Sequence, residues 1–457
     1  MDDGSDTAIN TSTEDYAAYP ALWHLESIGV LGFLRSGTPK GKRSRVAIID
    51  TSVAVAHPCL RDAVKHDLAI DFFSNRLGAF PYYGDRVLEA VFPNLASDIA
   101  DSLPASRQLF NELVDRLSRG SAPHHRGVAP TTSPDFSNHG TAIAGLVGGR
   151  PQTVSIDDGA AAGARSLPLP YCGTDPYCEI VPISTNFDTD PESLILALLY
   201  AEIIDASVVL LPRAFPDPFR TVPQLGGDPD LLDAILPARP TDRECTLWGE
   251  LTELVVAVSL RRPVVCAAGN AREANGIYPA NLADADNGII SVGAVNAKGQ
   301  VAGYSAIDGL TVHGPSNDAE RHDRLSVRLD DRDADFADRR CPPQHDNAEF
   351  SHFDIISTDV PGAHGYSYSP FAAEDPDGTL REFGSYFCRF GGTSAASAIV
   401  AGYVSLGYSS GGLEAGSGGL AAKDWLMAHA VQVETDAGAF RYPAWSGSVN
   451  FPDLYGL

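Results

Sequence analysis

Ser394 stands where a serine could act as a nucleophile. It follows two glycines, and the small and apolar residues after it, up to Gly402, predict a buried helix. The first N–H groups of a helix lack helical partners and its dipole favours an anion, so an oxyanion created by attack of this serine would find donors beside it. Taken alone, this stretch favours the simpler interpretation of Ser394 as the N-cap of a core helix.

A base and an orienting carboxylate are available elsewhere in the chain. His139 opens a second helical stretch of small and apolar residues, in which Gly140 and Gly145 permit close backbone packing, so another side chain could reach its imidazole. Asp50 ends the apolar run 45–50, the pattern of a buried parallel strand with a functional group at its carboxyl end. Each has a plain structural alternative, since an aspartate after a strand is often a cap and an isolated histidine at a helix start is usually structural.

Strand and helix patterns alternate through the middle of the chain. Strands are predicted at 179–183, 206–211, 263–270 and 288–295, with helices at 193–204 and 247–260. Such alternation predicts an α/β fold of three layers, a mostly parallel central sheet with helices on both faces and ligands at the carboxyl ends of the strands. Asp50, Leu211 and Asn270 fall at such ends. His57, in the loop after the first strand, is predicted to be a packing histidine.

The remaining segments predict one large domain with two insertions. Residues 1–20 are polar and predicted to be a flexible segment, and 21–457 form the domain. The insertions are predicted at about 71–135, either a lid over the site or a solvated decoration, and at 303–350, an exposed loop. A short helix within 21–34, a strand at 353–358 and a final helix at 425–433 complete the pattern.

Composition excludes several classes of function. A formal net charge of −26 and a pI near 4.7 exclude nucleic acid as a partner, and no apolar run is long enough to cross a membrane. Seven scattered cysteines argue against a disulfide framework and against a zinc site, although Cys172 and Cys178 are close enough to pair in an oxidising compartment. The acidic N-terminus does not look like a secretory signal, so we expect a cytoplasmic location.

The stretches around Asp50, His139, Asn270 and Ser394, taken together and in this order, resemble those of the subtilisin-like serine proteases, the subtilases of peptidase family S8. The resemblance implies that Ser394 is the nucleophile, His139 its base, Asp50 the group that orients the imidazole, and Asn270 a donor to the oxyanion. It also implies a protein or peptide substrate and no cofactor. Structural calcium is common in the family, but no loop here shows a clear ligand spacing, so no calcium site is predicted.

The resemblance further places the substrate-binding segments. They are expected at Leu211, Pro212 and Arg213 and at Ala268 and Gly269.

The first of these segments departs from the family pattern. Arg213 and Phe215 replace small residues there and would narrow the cleft, which favours either restricted specificity or a cleft that stays blocked until a conformational change opens it. Arg213 and Arg272 could select acidic residues, or could be solvated surface arginines.

The sequence therefore predicts a cytoplasmic serine endopeptidase of restricted specificity. A catalytically weak relative that binds peptides in the same cleft remains open, as does a transpeptidase or macrocyclase in which an amine resolves the acyl-enzyme. A regulatory protein partner is also left open. The residues before the Asp50 strand are too few for the folded propeptide of secreted relatives, so we expect activity to be restrained in another way, with the two insertions as candidates.

Overall fold

The computed structural model describes most of the chain between residues 22 and 451. The described residues are 22–36, 41, 43–72, 102–118, 138–156, 165–185, 190–221, 226, 241–297, 299–317, 354–361, 365–367, 386–435 and 438–451. The sequence predictions for residues 1–20 and 318–350, and for the parts of 71–135 not included above, lie outside them.

A seven-stranded sheet occupies the centre of the molecule. Its strands, in chain order, are β1 (Arg45–Asp50), β2 (Ile70–Asp71), β5 (Glu179–Ser184), β6 (Val208–Leu211), β7 (Val264–Ala267), β8 (Ile289–Val295) and β9 (Val312–Pro315). Their spatial order is β2-β5-β1-β6-β7-β8-β9, and every neighbouring pair is parallel. The parallel sheet that the alternating pattern predicts is therefore confirmed, and the carboxyl ends of all seven strands share one edge.

Helices cover both faces of this sheet. They are α1 (Trp23–Ser27), α2 (Val30–Ser36), α3 (Pro104–Ser118), α4 (His139–Gly148), α5 (Pro191–Ile203), α6 (Pro218–Thr221), α7 (Asp242–Arg261), α8 (Gly392–Ser410) and α9 (Gly419–Ala428). Three two-stranded antiparallel sheets flank them, made of β3 (Gln152–Ile156) with β4 (Arg165–Leu169), β10 (Ile355–Thr358) with β11 (Phe387–Phe390), and β12 (Ala430–Thr435) with β13 (Gly438–Pro443).

The sheet separates two apolar cores. Along β1, Val46 and Ile48 point into the core that contains α4 and α8, while Ala47 and Ile49 point into the core that contains α3, α5 and α7. Successive side chains of a strand face opposite sides, so a strand buried on both sides must be apolar throughout. The continuous apolar run before Asp50 follows from this geometry.

Helix α3 joins the predicted first insertion to the second core. Its residues Leu109, Phe110 and Leu113 are buried there. The carboxylate of Glu250, on α7, accepts hydrogen bonds from the backbone N–H groups of Ala105 and Ser106 at 2.9 and 2.6 Å, and so caps the start of α3 from another helix. The described part of this segment is thus neither a lid nor a solvated decoration but part of the second core.

Two further segments differ from the sequence prediction. Strand β9 lies inside the segment predicted as the second insertion, and it pairs with β8 as the last strand of the sheet. Residues 430–435 form a strand rather than the end of a helix, because Val431 and Val433 alternate with polar residues and pair with β13. The resulting hairpin reaches the central sheet through Phe440, whose ring centroid lies 5.2 Å from that of His313 in β9.

The described helices include none that is both long and apolar enough to cross a membrane. Cys172 and Cys178 are both free thiols, as are the other four cysteines that the structure describes. Burial raises the pKa of Cys172 to about 12, so this thiol stays protonated and unreactive.

Candidate active site

Asp50 and His139 form a hydrogen-bonded pair at the carboxyl edge of the sheet. Asp50 is fully buried, and its Oδ2 lies 2.7 Å from Nδ1 of His139, which is 12% exposed. A carboxylate can only accept, so Nδ1 carries the proton and Nε2 is left as the basic nitrogen of the ring. Burial alone would raise the pKa of Asp50, but the charge and hydrogen bond of His139, the charge of Arg213 and the N–H of Thr51 together lower it.

Two threonine hydroxyls join the segment after Asp50 to the start of α4, which carries His139. Thr51 Oγ1 accepts from the N–H of Gly140 at 2.9 Å, and Thr141 Oγ1 accepts from the N–H of Ala54 at 3.0 Å. The approach is so close that a Cβ at position 140 would lie 2.4 Å from the carbonyl oxygen of Thr51, which only glycine avoids. The close backbone packing predicted for Gly140 is confirmed, whereas the two threonines were not singled out from the sequence although they adjoin its motifs.

Strand β10 fixes the other side of α4. Ser357 Oγ donates to the carbonyl of Ala142 at 2.5 Å, and Thr358 Oγ1 donates to the carbonyl of Thr141 at 2.7 Å. A Cβ at Gly145 would lie 2.2 Å from Thr358 Oγ1, so this glycine also permits the contact. The start of α4, and with it His139, is therefore held from two directions.

Ser394 lies in the first turn of α8, as its sequence context predicts. The helix begins at Gly392, whose φ of +78° suits glycine. The N–H of Gly392 donates to the hydroxyl of Tyr304 at 3.1 Å, and its carbonyl accepts from Ser316 Oγ at 2.8 Å. Ser316 directly follows β9, so the strand that the sequence did not predict helps to position the start of α8.

Asn270 is tied to the residue before Ser394. Its Oδ1 accepts from the N–H of Thr393 at 2.8 Å and from Thr393 Oγ1 at 3.0 Å, while Thr393 Oγ1 accepts from the N–H of Gly269 at 3.1 Å. With its oxygen fixed in this way, the carboxamide must direct its NH₂ group away from Thr393. Within the described part of the chain, neither this NH₂ nor the N–H of Ser394 has a hydrogen-bond partner.

The nucleophile predicted from the sequence lies near the predicted base. Phe390, four residues before Ser394, packs its ring against that of His139 with centroids 5.4 Å apart. Ser394 is 7% exposed, and its Oγ forms no hydrogen bond with any residue that the structure describes, His139 included. The structure thus joins Asp50 to His139 and Asn270 to Thr393 directly, and it leaves the bond between Ser394 and His139 unmade.

Comparison with known proteins identifies the fold around this site. Residues 241–437 match the family model described as the subtilase family. No curated protein sequence matches the chain significantly.

Solved structures have the same fold at low identity. The epidermin leader peptide processing serine protease EpiP of Staphylococcus aureus aligns over 94% of this chain and 80% of its own, with a TM-score of 0.53 at 14% identity. A structure described as a lanthipeptide protease aligns over 94% of this chain and 93% of its own, with a TM-score of 0.50 at 12% identity. The three-layer α/β subtilisin-like fold follows from these likenesses and from the parallel sheet.

The side chains of the predicted substrate-binding segments lie below the surface of the protein. Leu211 packs in the second core, Pro212 is buried, and Ala268 is fully buried. Gly269 has a φ of +118° and donates its N–H to Thr393. Any contact of these residues with a substrate would therefore be made by the backbone, and a substrate-binding role stays a prediction.

The sequence predicted Arg213 to be either a specificity residue or a solvated surface arginine. The solvated interpretation is wrong, because the residue is only 3% exposed. Its Nη2 donates to Thr185 Oγ1, and its guanidinium carbon lies 5.3 Å from the ring centroid of Phe215, which is 4% exposed. Both side chains are therefore packed inside the protein, and a role of Arg213 in specificity stays a prediction. Arg272 is exposed, with a φ of +56°.

His57 connects the loop after β1 to the strand that leads to Ser394. The N–H of Cys59 donates to Nδ1 of His57 at 3.1 Å, so Nε2 carries the proton and donates to the carbonyl of Tyr386 at 2.7 Å. Burial lowers the pKa of His57 to about 4, against the smaller opposing effect of the Tyr386 carbonyl. The prediction of a packing histidine is confirmed.

The neutral state of His57 predicts a loss of stability in acid. The unfolded chain takes up this proton near pH 6.5 but the folded chain only near pH 4, so the folded state is destabilised as the pH falls between these values. We expect His57 to account for about 2 kcal/mol of the fall in the free energy of unfolding between pH 7 and pH 5. Denaturant unfolding at both pH values, on the wild type and on His57→Gln, measures this difference.

The control is His66→Gln, since His66 is exposed and should leave the pH dependence of the wild type unchanged. An equal fall in stability for the wild type and His57→Gln would contradict the assignment.

The described residues contain no group of three or more His, Cys, Asp or Glu side chains that could hold a metal ion.

Proposed function

We propose that the chain is a serine endopeptidase that uses Ser394, His139 and Asp50 as a catalytic triad. The observation that carries the proposal is the 2.7 Å hydrogen bond between Oδ2 of the buried Asp50 and Nδ1 of His139. Because that bond places the proton on Nδ1, Nε2 is the basic nitrogen of the His139 ring, as a general base requires. Ser394, the proposed nucleophile, lies in the first turn of α8.

The reaction would proceed through an acyl-enzyme. His139 Nε2 takes the proton from Ser394 Oγ as this oxygen bonds to the carbonyl carbon of the scissile peptide, and the imidazolium then gives the proton to the leaving amine. A water molecule then attacks the acyl carbonyl carbon while His139 Nε2 takes its proton. The imidazolium returns this proton to Ser394 Oγ as the ester bond breaks, which releases the new carboxyl end of the substrate. Closure of the gap between Ser394 and His139 on substrate binding is expected, because such hydrogen bonds are often long in free enzymes and shorten in the complex.

The N–H of Ser394 and the NH₂ of Asn270 are the proposed oxyanion donors. Replacement of Asn270 by alanine removes one donor and should lower turnover about 100- to 1,000-fold, with little change in KM, because the donor acts on charge that exists only in the transition state. This magnitude is the one known for subtilisin itself. Steady-state kinetics on any cleaved peptide would measure it.

Thr393→Val serves as a partner variant to Asn270→Ala. It removes the hydroxyl that binds Asn270 Oδ1 but leaves the carboxamide and the backbone N–H in place. We expect a smaller loss than with Asn270→Ala. An Asn270→Ala enzyme with unchanged turnover would contradict the assignment of this donor.

The substrate is proposed to be a protein or peptide that presents an extended segment. Ser394 is 7% and His139 12% exposed, so both reacting groups are recessed, which supports restricted specificity. EpiP is described as processing a leader peptide, which makes peptide precursors a natural class to screen. The six described cysteines are all free thiols, which supports a cytoplasmic location.

A catalytically weak peptide-binding protein is the second candidate. It is favoured by the hydroxyl of Ser394, which has no hydrogen bond to His139.

Digestion of unfolded casein and of a synthetic peptide mixture, read by mass spectrometry, separates the candidates. Internal cleavage gives fragments whose masses sum to the substrate plus one water for each broken bond, and the Ser394→Ala protein gives none. Joined or cyclic products, which lack that water, would indicate a transpeptidase. Retention of peptides on the immobilised protein without fragments would overturn the endopeptidase in favour of the binding protein.

A further inference from the structure

Arg213 lies across the end of the strand that carries Asp50. Strand β1 sits between β5 and β6, and the register pairs Asp50 with Ser184 on one side and Ile48 with Leu210 on the other. Thr185 and Arg213 are therefore level with each other on opposite sides of β1, one step beyond Asp50.

The hydrogen bond from Arg213 Nη2 to Thr185 Oγ1 consequently spans the width of β1. Neighbouring strands are about 4.8 Å apart, so β5 and β6 lie about 10 Å from each other, and only a long side chain can bridge them. The N–H of Thr185 also donates to the carbonyl of Asp50 at 2.8 Å, so the acceptor of the Arg213 bond is itself fixed to Asp50.

The guanidinium of Arg213 is held in this place by packing as well. It lies over the ring of Phe215, 5.3 Å from the centroid, and the N–H of Phe215 donates to the carbonyl of Tyr278 at 3.3 Å. Arg213 and Phe215 are 3% and 4% exposed. A cation at such a depth acts on its neighbours with little screening by solvent.

The charged groups of the described chain that act on Asp50 are His139, from α4, and Arg213, from the loop after β6. A fully buried carboxylate favours its neutral form, and a protonated Asp50 could not hold the imidazole in the required tautomer as strongly. We propose that Arg213 is a positioning residue of the catalytic pair, whose buried charge keeps Asp50 ionised and hydrogen-bonded to His139. This inference rests on the proposed triad and assigns Arg213 to catalysis rather than to substrate selection.

The pH dependence of serine labelling tests the role of this charge. A fluorophosphonate probe reacts with the activated serine of the free enzyme, and its rate falls in acid as the Asp50–His139 pair takes up a proton. Loss of the nearby cation makes that protonation easier. We therefore expect Arg213→Gln to move the acid limb of the rate profile upward, by on the order of one pH unit.

Two further variants separate charge from structure. Arg213→Lys keeps the positive charge but loses the planar guanidinium group that donates to Thr185. The acid limb of this variant should therefore stay close to that of the wild type, while its labelling rate at the pH plateau falls. Arg45→Gln is the matched control, because Arg45 is a partly buried arginine at the opposite end of β1, about 16 Å from Asp50. Its acid limb should not move.

The outcomes distinguish this inference from the proposed function. If the wild type is labelled and the acid limb of Arg213→Gln is not shifted, the proposed role of Arg213 is overturned, even if this variant melts at a lower temperature. The proposed triad is not affected by that result. An equal shift in Arg213→Lys would overturn it as well, since the charge is retained there. A wild-type protein that does not label would overturn the triad, and the inference with it.

Discussion

Ser394→Ala should lower the rate of peptide hydrolysis by about a million-fold, the magnitude known for subtilisin. Attack needs the Oγ at the first turn of α8, and no other hydroxyl can replace it there, since the hydroxyl of Thr393 is bonded to Asn270 and Gly269. Hydrolysis of a cleaved peptide, followed by mass spectrometry over long incubations, measures the loss.

The partner variants of this prediction are His139→Ala and the double variant Ser394→Ala/His139→Ala. Groups that act as a unit are not additive, so the double variant should be no slower than either single variant. Losses that multiply would show that Ser394 and His139 act separately, against the proposed mechanism.

Asp50→Asn should lower hydrolysis about 10,000-fold while leaving the fold intact. An asparagine can turn its NH₂ group toward Nδ1 of His139, in which case Nδ1 becomes the acceptor and Nε2 carries the proton. Since Nε2 must be unprotonated to accept from Ser394, this tautomer cannot act as the base. Single-turnover acylation of the variant measures the effect.

The matched control for Asp50→Asn is Asp175→Asn. Asp175 is also fully buried, and it accepts from Ser405 and Ser409 on the later turns of α8 at 2.6 and 2.8 Å. Burial raises the pKa of Asp175 to about 6, against the opposing effects of its hydrogen bonds and of the charge of Arg150, so an amide should be accommodated there. We expect unchanged hydrolysis by Asp175→Asn. Comparable losses in both variants would assign the effect to burial of an amide rather than to the tautomer of His139.

The sequence was sufficient for the elements that carry the proposed triad. Asp50 ends a continuous apolar run, and such runs report directly on strands buried on both faces. His139 and Ser394 each lie at the start of a helix rich in small residues. Glycines in these segments mark positions where a side chain would not fit. In all three cases the signal is local, because it lies in the types of the residues next to Asp50, His139 and Ser394 in the chain.

Features that depend on contacts between distant segments could not be predicted from the sequence. Strand β9 has only four residues, with a glycine and a proline, so no apolar run marks it. The burial of α3 depends on Glu250, which caps it from a helix 145 positions away. Arg213 follows a predicted strand in a polar-looking segment, and its burial becomes visible only when β5 and β6 are placed on either side of β1.

In the candidate site too, local sequence patterns could be interpreted while contacts between distant segments could not. The four motif residues were found from the sequence, while the groups that hold them were not: Thr51 and Thr141 lie one or two positions from a motif, and Ser316 lies in a different segment. A hydroxyl has no periodic signature, so its role is decided by the partner that the fold brings to it.

Labelling of the purified protein with a fluorophosphonate probe, beside Ser394→Ala and His139→Ala, tests the proposed triad without knowledge of the substrate, because the probe reacts only with an activated serine. We expect labelling of the wild type at Ser394, located by peptide mass spectrometry, and loss of labelling in both variants. Labelling that persists in Ser394→Ala, or a wild type that remains unlabelled, would contradict the proposed triad.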